Sequence, residues 1–207
     1  MKKVRGKFIT FEGPEGSGKS TQSKLLCAYL RSKDFKVLHL REPGGIIISE
    51  KIRKILLDAK NHSLAKEAEM LLYMAARSQV VKEIIGPALL KGKIVVCDRF
   101  LDSTVAYQGY GLGIDIKLIK KVGGFVTSGI KPDLTILMDL PVKKGLKHRA
   151  LSKDRIEKRP LAYHIAVRKG YLKLAAQEPK RIKIVKVEKD KIKTQGKIRE
   201  LIKRYVI

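Results

Sequence analysis

The segment Gly13-Pro14-Glu15-Gly16-Ser17-Gly18-Lys19-Ser20 has the G-x-x-x-x-G-K-[ST] spacing, which suits the capture of a phosphate chain. Its glycines let the backbone curl around an oxyanion and turn successive N–H groups inward, and a helix opening near Lys19 adds the positive end of its dipole. Lys19 can reach β- and γ-phosphates as a point charge. The Ser20 hydroxyl can enter the shell of a Mg²⁺ ion bridging them. The ligand implied is Mg-ATP. A glycine-rich turn with an incidental lysine is the alternative, and the position of the motif between a strand-like run and a helix-like run argues against it. The motif does not name an acceptor, because GTPases, motors, helicases and small-molecule kinases share it.

A second pair of charges, Asp98-Arg99, follows the apolar residues Val95, Val96 and Cys97. Charges emerging at the carboxyl end of a buried strand lie where α/β sheets hold their ligands. Asp98 can act on Mg²⁺ directly or through water, and Arg99 can bridge donor and acceptor phosphates. The competing reading is a structural salt bridge.

These groups need a sheet to hold them. Lys7 to Glu12, Val37 to Arg41, Ile94 to Asp98, Leu134 to Asp139 and Ile182 to Val187 are short and rich in β-branched residues. Between them run amphipathic stretches: Ser20 to Ser32, Leu64 to Ile85, Tyr163 to Ala176, and a closing helix with Ile198, Leu201, Ile202 and Tyr205 on one face. The alternation predicts an α/β fold, a five-stranded parallel sheet with helices on both faces, in one domain over residues 1–207. The basic stretch Lys143 to Pro160 interrupts the rhythm and is expected to be a short lid.

Composition narrows the class further. No apolar run approaches the roughly 18 to 20 residues of a membrane span, and no secretion signal is read at the basic N-terminus, so a soluble, cytoplasmic protein is expected. Cys27 and Cys97 read as buried hydrophobes, and His39, His62, His148 and His164 show no metal-ligand spacing. The net charge is +26, and Lys143 to Ile207 holds 22 basic against 6 acidic residues. Such a field favours polyanions, or it is a solvated lysine-rich surface. A nucleic-acid partner is not expected, because no strand-interaction motif accompanies the charge.

The run Phe11-Glu12-Gly13-Pro14-Glu15-Gly16-Ser17-Gly18-Lys19-Ser20-Thr21 resembles the opening of thymidylate kinases. Arg41-Glu42-Pro43-Gly44-Gly45, Glu50 with Arg53, Ala75-Ala76-Arg77, Asp98-Arg99-Phe100, Ser103 and Ala106-Tyr107-Gln108-Gly109 follow in that family's order. Pro132-Asp133-Leu134 and Asp154-Arg155-Ile156-Glu157 complete the series. The resemblance spans nearly the whole chain. It departs at Ile46, where threonine is common, and at Arg159-Pro160, where an acid is common.

The resemblance implies a nucleoside monophosphate kinase that phosphorylates dTMP from Mg-ATP and works as a homodimer. Gly13 to Thr21 would hold ATP, and Ser20 and Asp98 the metal. Arg53 and Arg99 would bind the dTMP phosphate, with Glu42 near them and Pro43 shaping the pocket, and Glu15 would contact the sugar 3′-hydroxyl. Tyr73 would stack on thymine and Arg77, one helical turn on, would donate to a thymine carbonyl. Ser103, Thr104 and Gln108 would complete base recognition, and Tyr107 would crowd the 2′ position. The phosphate loop has Gly16 where other members carry arginine, so a lid arginine is implied: Arg155 first, with Arg149 and Arg159 behind it. Catalysis would then rest on Lys19, Arg99 and Arg155. The rival readings are another nucleoside or nucleotide kinase of this fold, a nucleic-acid-stimulated ATPase, and a catalytically dead scaffold.

Overall fold

Runs of β-branched and aliphatic residues too short for helices become β1 (Phe8–Glu12), β2 (Val37–Arg41), β3 (Ile94–Asp98), β4 (Leu134–Asp139) and β5 (Ile182–Lys186). The computed structural model describes residues 6–147 and 154–207. All four strand pairings are parallel, and the order is β2-β3-β1-β4-β5. Every residue of β1 and β3 is buried, as expected for central strands covered on both faces.

Side-chain alternation divides the core between two faces. Ile9, Phe11, Val96 and Ile136 pack with Leu26 and Leu30 of α1 (Lys19–Arg31) and with Ile198 and Ile202 of α9 (Lys191–Tyr205). Phe8, Val95 and Cys97 point the other way, toward α3 (Lys66–Val80) and α4 (Gly86–Leu90). On this second face α6 (Ile116–Val126) and α8 (Leu161–Gln177) build a further cluster around Ile119, Val167 and Tyr171. Cys27 and Cys97 are both free and buried, and burial raises both thiol pKa values. Tyr205 departs from the predicted apolar face of α9. It lies exposed at the rim, near Lys183 and Arg204.

Two segments depart from α-helical winding. α3 passes through a π-helical turn, Val81–Ile85, into α4, and the short α5 (Leu101–Thr104) continues as a π-helical segment, Val105–Gly111. π turns are rare and gather at functional sites. This one carries Tyr107 and Gln108. Among the described residues no helix is long and apolar enough to cross a membrane.

The topology reverses at β1, which has β3 on one side and β4 on the other. Ligands of open α/β sheets lie at such a reversal, outside the carboxyl ends of the strands. Phe11 and Arg41 are both level with Asp98, so the loops after β1, β2 and β3 leave the sheet side by side. The short helix α7 (Val142–Lys147) lies directly on the turn after β1: a Cβ on Gly145 would stand 2.2 Å from the Glu15 carbonyl oxygen. Gly145→Ala is therefore expected to lower the unfolding free energy by about 1–3 kcal/mol. Gly124→Ala, in α6 where a Cβ meets nothing, should raise it by roughly 0.5–1 kcal/mol. Urea denaturation of the two variants measures both.

Candidate active site

The carboxyl edge of the sheet opens into a cleft of about 350 Å³. Its floor is the turn between β1 and α1. Gly18 precedes α1 in left-handed conformation at φ 82°, and a Cβ on Gly13 would stand 2.4 Å from the Met138 carbonyl oxygen. Space demands glycine at Gly13, and the left-handed backbone favours it at Gly18. In the first turn of α1, Lys19 is buried and donates from Nζ to the Pro14 carbonyl at 2.8 Å. Burial and then Arg99 lower its pKa to about 8, while Glu15, Asp98 and Glu12 pull the other way. An arriving phosphate would raise it again. Ser20, the next residue of α1, donates its hydroxyl to Asp98 at the end of β3. These two adjoining oxygen groups form a donor set that suits Mg²⁺ together with phosphate oxygens and water.

Arg99 is the centre of the cleft. It sits at φ 72°, a left-handed backbone that a non-glycine residue adopts only under constraint. Its Nη2 donates to Glu15 Oε1 at 2.7 Å and to the Tyr107 hydroxyl at 3.0 Å. Its Nη1 lies 3.2 Å from Ser103 Oγ and 3.3 Å from both the Gly13 carbonyl and the Tyr171 hydroxyl. The guanidinium also lies 4.9 Å from the Tyr107 ring centroid. Tyr107 in turn donates to Glu15 Oε1 at 2.6 Å. Burial opposes ionisation of Glu15, but Arg99, Lys19 and the Tyr107 hydroxyl outweigh it and hold the carboxyl down at about 2.

Beneath Arg99 lies a buried carboxylate that carried no assigned role in the sequence reading. Glu12 accepts from the Phe100 amide at 2.7 Å, from Ser103 at 2.6 Å and from Tyr171 at 2.9 Å. The amide it accepts from belongs to the residue after Arg99, so Glu12 fixes the chain where Arg99 is strained. Ser103 was expected at the base. It lines the cleft, and its hydroxyl bonds Glu12 and Tyr171. Tyr171, on α8, was also not foreseen. An aromatic on a predicted amphipathic helix carries no signal that its hydroxyl will reach a strand end.

The opposite wall comes from α2 (Ile47–Leu57), α3 and the loop after β2. Arg53 lines the cleft and donates to the Pro43 carbonyl at 2.9 Å. Glu42 was expected beside Arg53 and Arg99 but pairs with Arg77 at 2.7 Å, both side chains only 2% exposed. A buried carboxylate must find a charge partner, and Arg77 is the one within reach. Arg77 also donates to Thr104 Oγ1 at 2.9 Å and to the Phe100 carbonyl at 3.0 Å. Tyr73, Arg77, Thr104 and Gln108 all line this wall. Ile46, at the start of α2, supplies no side-chain cap. The loop is fixed by Ser49 and Glu50, which accept from the Gly44 and Gly45 amides at 2.8 Å each.

Two of the expected lid arginines, Arg155 and Arg159, are held by Glu69 rather than at the cradle. Arg155 is buried, forms an ion pair with Glu69 at 2.7 Å, and donates from Nε to the Leu56 carbonyl at 3.0 Å. Arg159 pairs with the same carboxylate at 2.6 Å and lies 4.6 Å from the Tyr163 ring centroid. Glu69 is fully buried, and a carboxylate removed from water needs compensating cations, which the two arginines supply. Arg149 lies outside the described residues.

A family model described as thymidylate kinase matches residues 11–198. The chain is 54% identical over 190 residues to the thymidylate kinase of Geotalea daltonii, covering 87% of this chain and 88% of that one. It is 43% identical over 204 residues to the thymidylate kinase of Thermoanaerobacter sp. strain X514, covering 98% and 100%. The crystal structure of thymidylate kinase from Ehrlichia chaffeensis superposes with a TM-score of 0.80 at 33% identity, covering 96% and 99%.

Burial, then Asp102, raises Glu12 from 4.5 to about 7, against the bonds from Ser103 and Phe100 and the pull of Arg99. Between these values the folded chain holds a proton that the unfolded chain has lost, so this group makes stability fall as pH rises through the window. Glu12→Gln removes that titration. Urea unfolding from about pH 5 to 8 should show a decline in the parent protein that is smaller in the variant by something on the order of 1–3 kcal/mol.

Proposed function

This chain belongs to the thymidylate kinase family, and we infer that its cleft carries out that family's reaction, the transfer of the γ-phosphoryl group of ATP to the 5′-phosphate of dTMP. The observation that carries the reading is Arg99 standing within reach of both the phosphate cradle and the wall of Arg53 and Tyr73. A kinase whose acceptor is itself a phosphate must hold two anionic chains in contact, and a guanidinium between them is what makes that contact favourable.

The glycine-rich turn and Lys19 hold the phosphates of ATP. Arg53 and Arg99 hold the phosphate of dTMP, and Glu15, whose Oε1 already serves Arg99 and Tyr107, offers Oε2 to the 3′-hydroxyl. Tyr73 stacks on the base, and Arg77, Thr104 and Gln108 line its edge. Tyr107 stands where a ribose 2′-hydroxyl would collide. Ser20 and Asp98 would hold Mg²⁺, which supplies neutralisation of the phosphate charge. An oxygen of the dTMP phosphate attacks the γ-phosphorus in line, the bond from that phosphorus to the β–γ bridging oxygen breaks, and its electron pair leaves on ADP. No bond to the protein forms.

The stretch 143–160 acts as the lid. Exposed apolar residues on neighbouring helices, Leu71 of α3 with Leu118 and Phe125 of α6, support a homodimer built on that face. The +26 charge surrounds the cleft with a field that draws nucleotide anions. Free nucleotides as substrates, and bacterial relatives, support action in the cytoplasm.

With ATP as donor, dTMP should exceed dUMP, CMP, UMP and thymidine in kcat/KM, and equal rates across the panel would sink the thymidylate assignment. DNA or RNA should not stimulate ATP hydrolysis. Lys19→Ala should lower turnover of dTMP by about 10²–10³, and near-normal turnover would rule out this account of the cradle.

A further inference from the structure

Glu69 belongs to none of the motifs above, yet it is fully buried in the first helical turn of α3, at the inner end of the base wall. One of its oxygens, Oε2, meets the guanidinium groups of Arg155 and Arg159 at 2.7 and 2.6 Å. The other, Oε1, accepts from Nε2 of Gln108 at 2.8 Å. A carboxylate paired with two guanidinium groups only accepts hydrogen bonds, so the end of the Gln108 amide that faces it has to be the NH₂. The amide is planar. Its oxygen is therefore turned away from Glu69, and Gln108 is 2% exposed and lines the cleft. Among the described residues no side chain or amide donates to that oxygen.

An acceptor held at a cleft wall is left for the ligand, and a ligand without a matching donor leaves it unpaired at a cost. Pyrimidines differ at the position such an acceptor reads: thymine and uracil carry N3–H, a donor, whereas cytosine has a bare N3 that only accepts. An amide oxygen at the wall selects the first kind and an amide NH₂ the second. Left to itself the Gln108 amide could turn over and present either end, because the two are close in size.

We propose that Glu69 is a specificity-determining positioning residue: by holding the NH₂ of Gln108 it keeps an acceptor facing the base and so excludes cytosine nucleotides. Arg155 and Arg159 hold Glu69 in place as the acceptor, which gives the departure at Arg159 a function. The proposal rests on the cleft being the dTMP site.

The experiment compares kcat/KM for dTMP and dCMP in the parent protein and in Glu69→Gln, whose side chain can itself donate to Gln108 and allow the amide to turn. The expected result is a dTMP-to-dCMP ratio that falls by about tenfold or more. Gln108→Ala should lose a similar part of the ratio, and adding Glu69→Gln to it should change the ratio no further. Glu69→Asp keeps the charge for both arginines but withdraws the acceptor from Gln108. It too should lower the ratio, and it stands in if Glu69→Gln fails to fold. A ratio unchanged within about twofold in a folded Glu69 variant that still turns over dTMP, with only thermal stability reduced, overturns the proposal and leaves Glu69 a structural ion pair. A parent protein that does not phosphorylate dTMP overturns the underlying reading, and this proposal with it.

Discussion

A guanidinium held under strain at the end of a central strand is the constraint on which the rest of the site depends. Arg99 must stay charged, partly buried and aimed at the cleft before any phosphate arrives. Burial alone would work against that, so the chain surrounds it with acceptors: Glu15 at 2.7 Å, the hydroxyls of Tyr107, Ser103 and Tyr171, and the Gly13 carbonyl. Glu12 holds the next amide and so keeps the left-handed turn in place. The sheet order brings these partners together, since β1 supplies Glu12 and the turn with Glu15 while its neighbour β3 supplies Arg99.

The same rule governs the base wall. In a chain of 46 basic and 20 acidic residues, three acids around the cleft stand against arginines. Glu15 faces Arg99, Glu42 faces Arg77, and Glu69 faces Arg155 and Arg159. Buried pairs of this kind add little net stability over apolar packing, yet breaking one by removing a partner is costly. Their value lies in direction. Each acid fixes which N–H groups of its arginine remain for a ligand, and Glu69 extends that control to a neutral amide.

Most of the fold was legible because its signals are local. Short runs of aliphatic and β-branched residues gave β2, β3 and β4 their observed limits, and a motif of fixed spacing between strand and helix gave the cradle. Asp98 and Arg99 could be read from their place after an apolar run. What could not be read were pairings across distant parts of the chain: Tyr171 with Glu12, Glu42 with Arg77, Glu69 with Arg155. Nothing near Ser103 says that its hydroxyl faces a carboxylate 91 positions earlier. The π-helical winding at Val105–Gly111 was equally hidden, because it changes which side Tyr107 and Gln108 present without altering composition.

Arg155 shows how such a pairing changes a mechanistic assignment. Resemblance placed it on the transferring phosphoryl, and its position in a basic stretch agreed. Carrying it there would leave a fully buried carboxylate with one cation fewer, and removing a partner from a buried ion pair costs about 3–5 kcal/mol. It would also break the bond from its Nε to the Leu56 carbonyl. Closure would have to return all of this through new contacts with phosphate. Lys19 and Arg99 need no such exchange of buried partners, because each stands at the cradle with acceptors that a phosphate oxygen can replace in place. On these contacts the charge that develops on the transferring group is better met by those two residues, and the role proposed for Arg155 lies at the far end of the base wall, through Glu69.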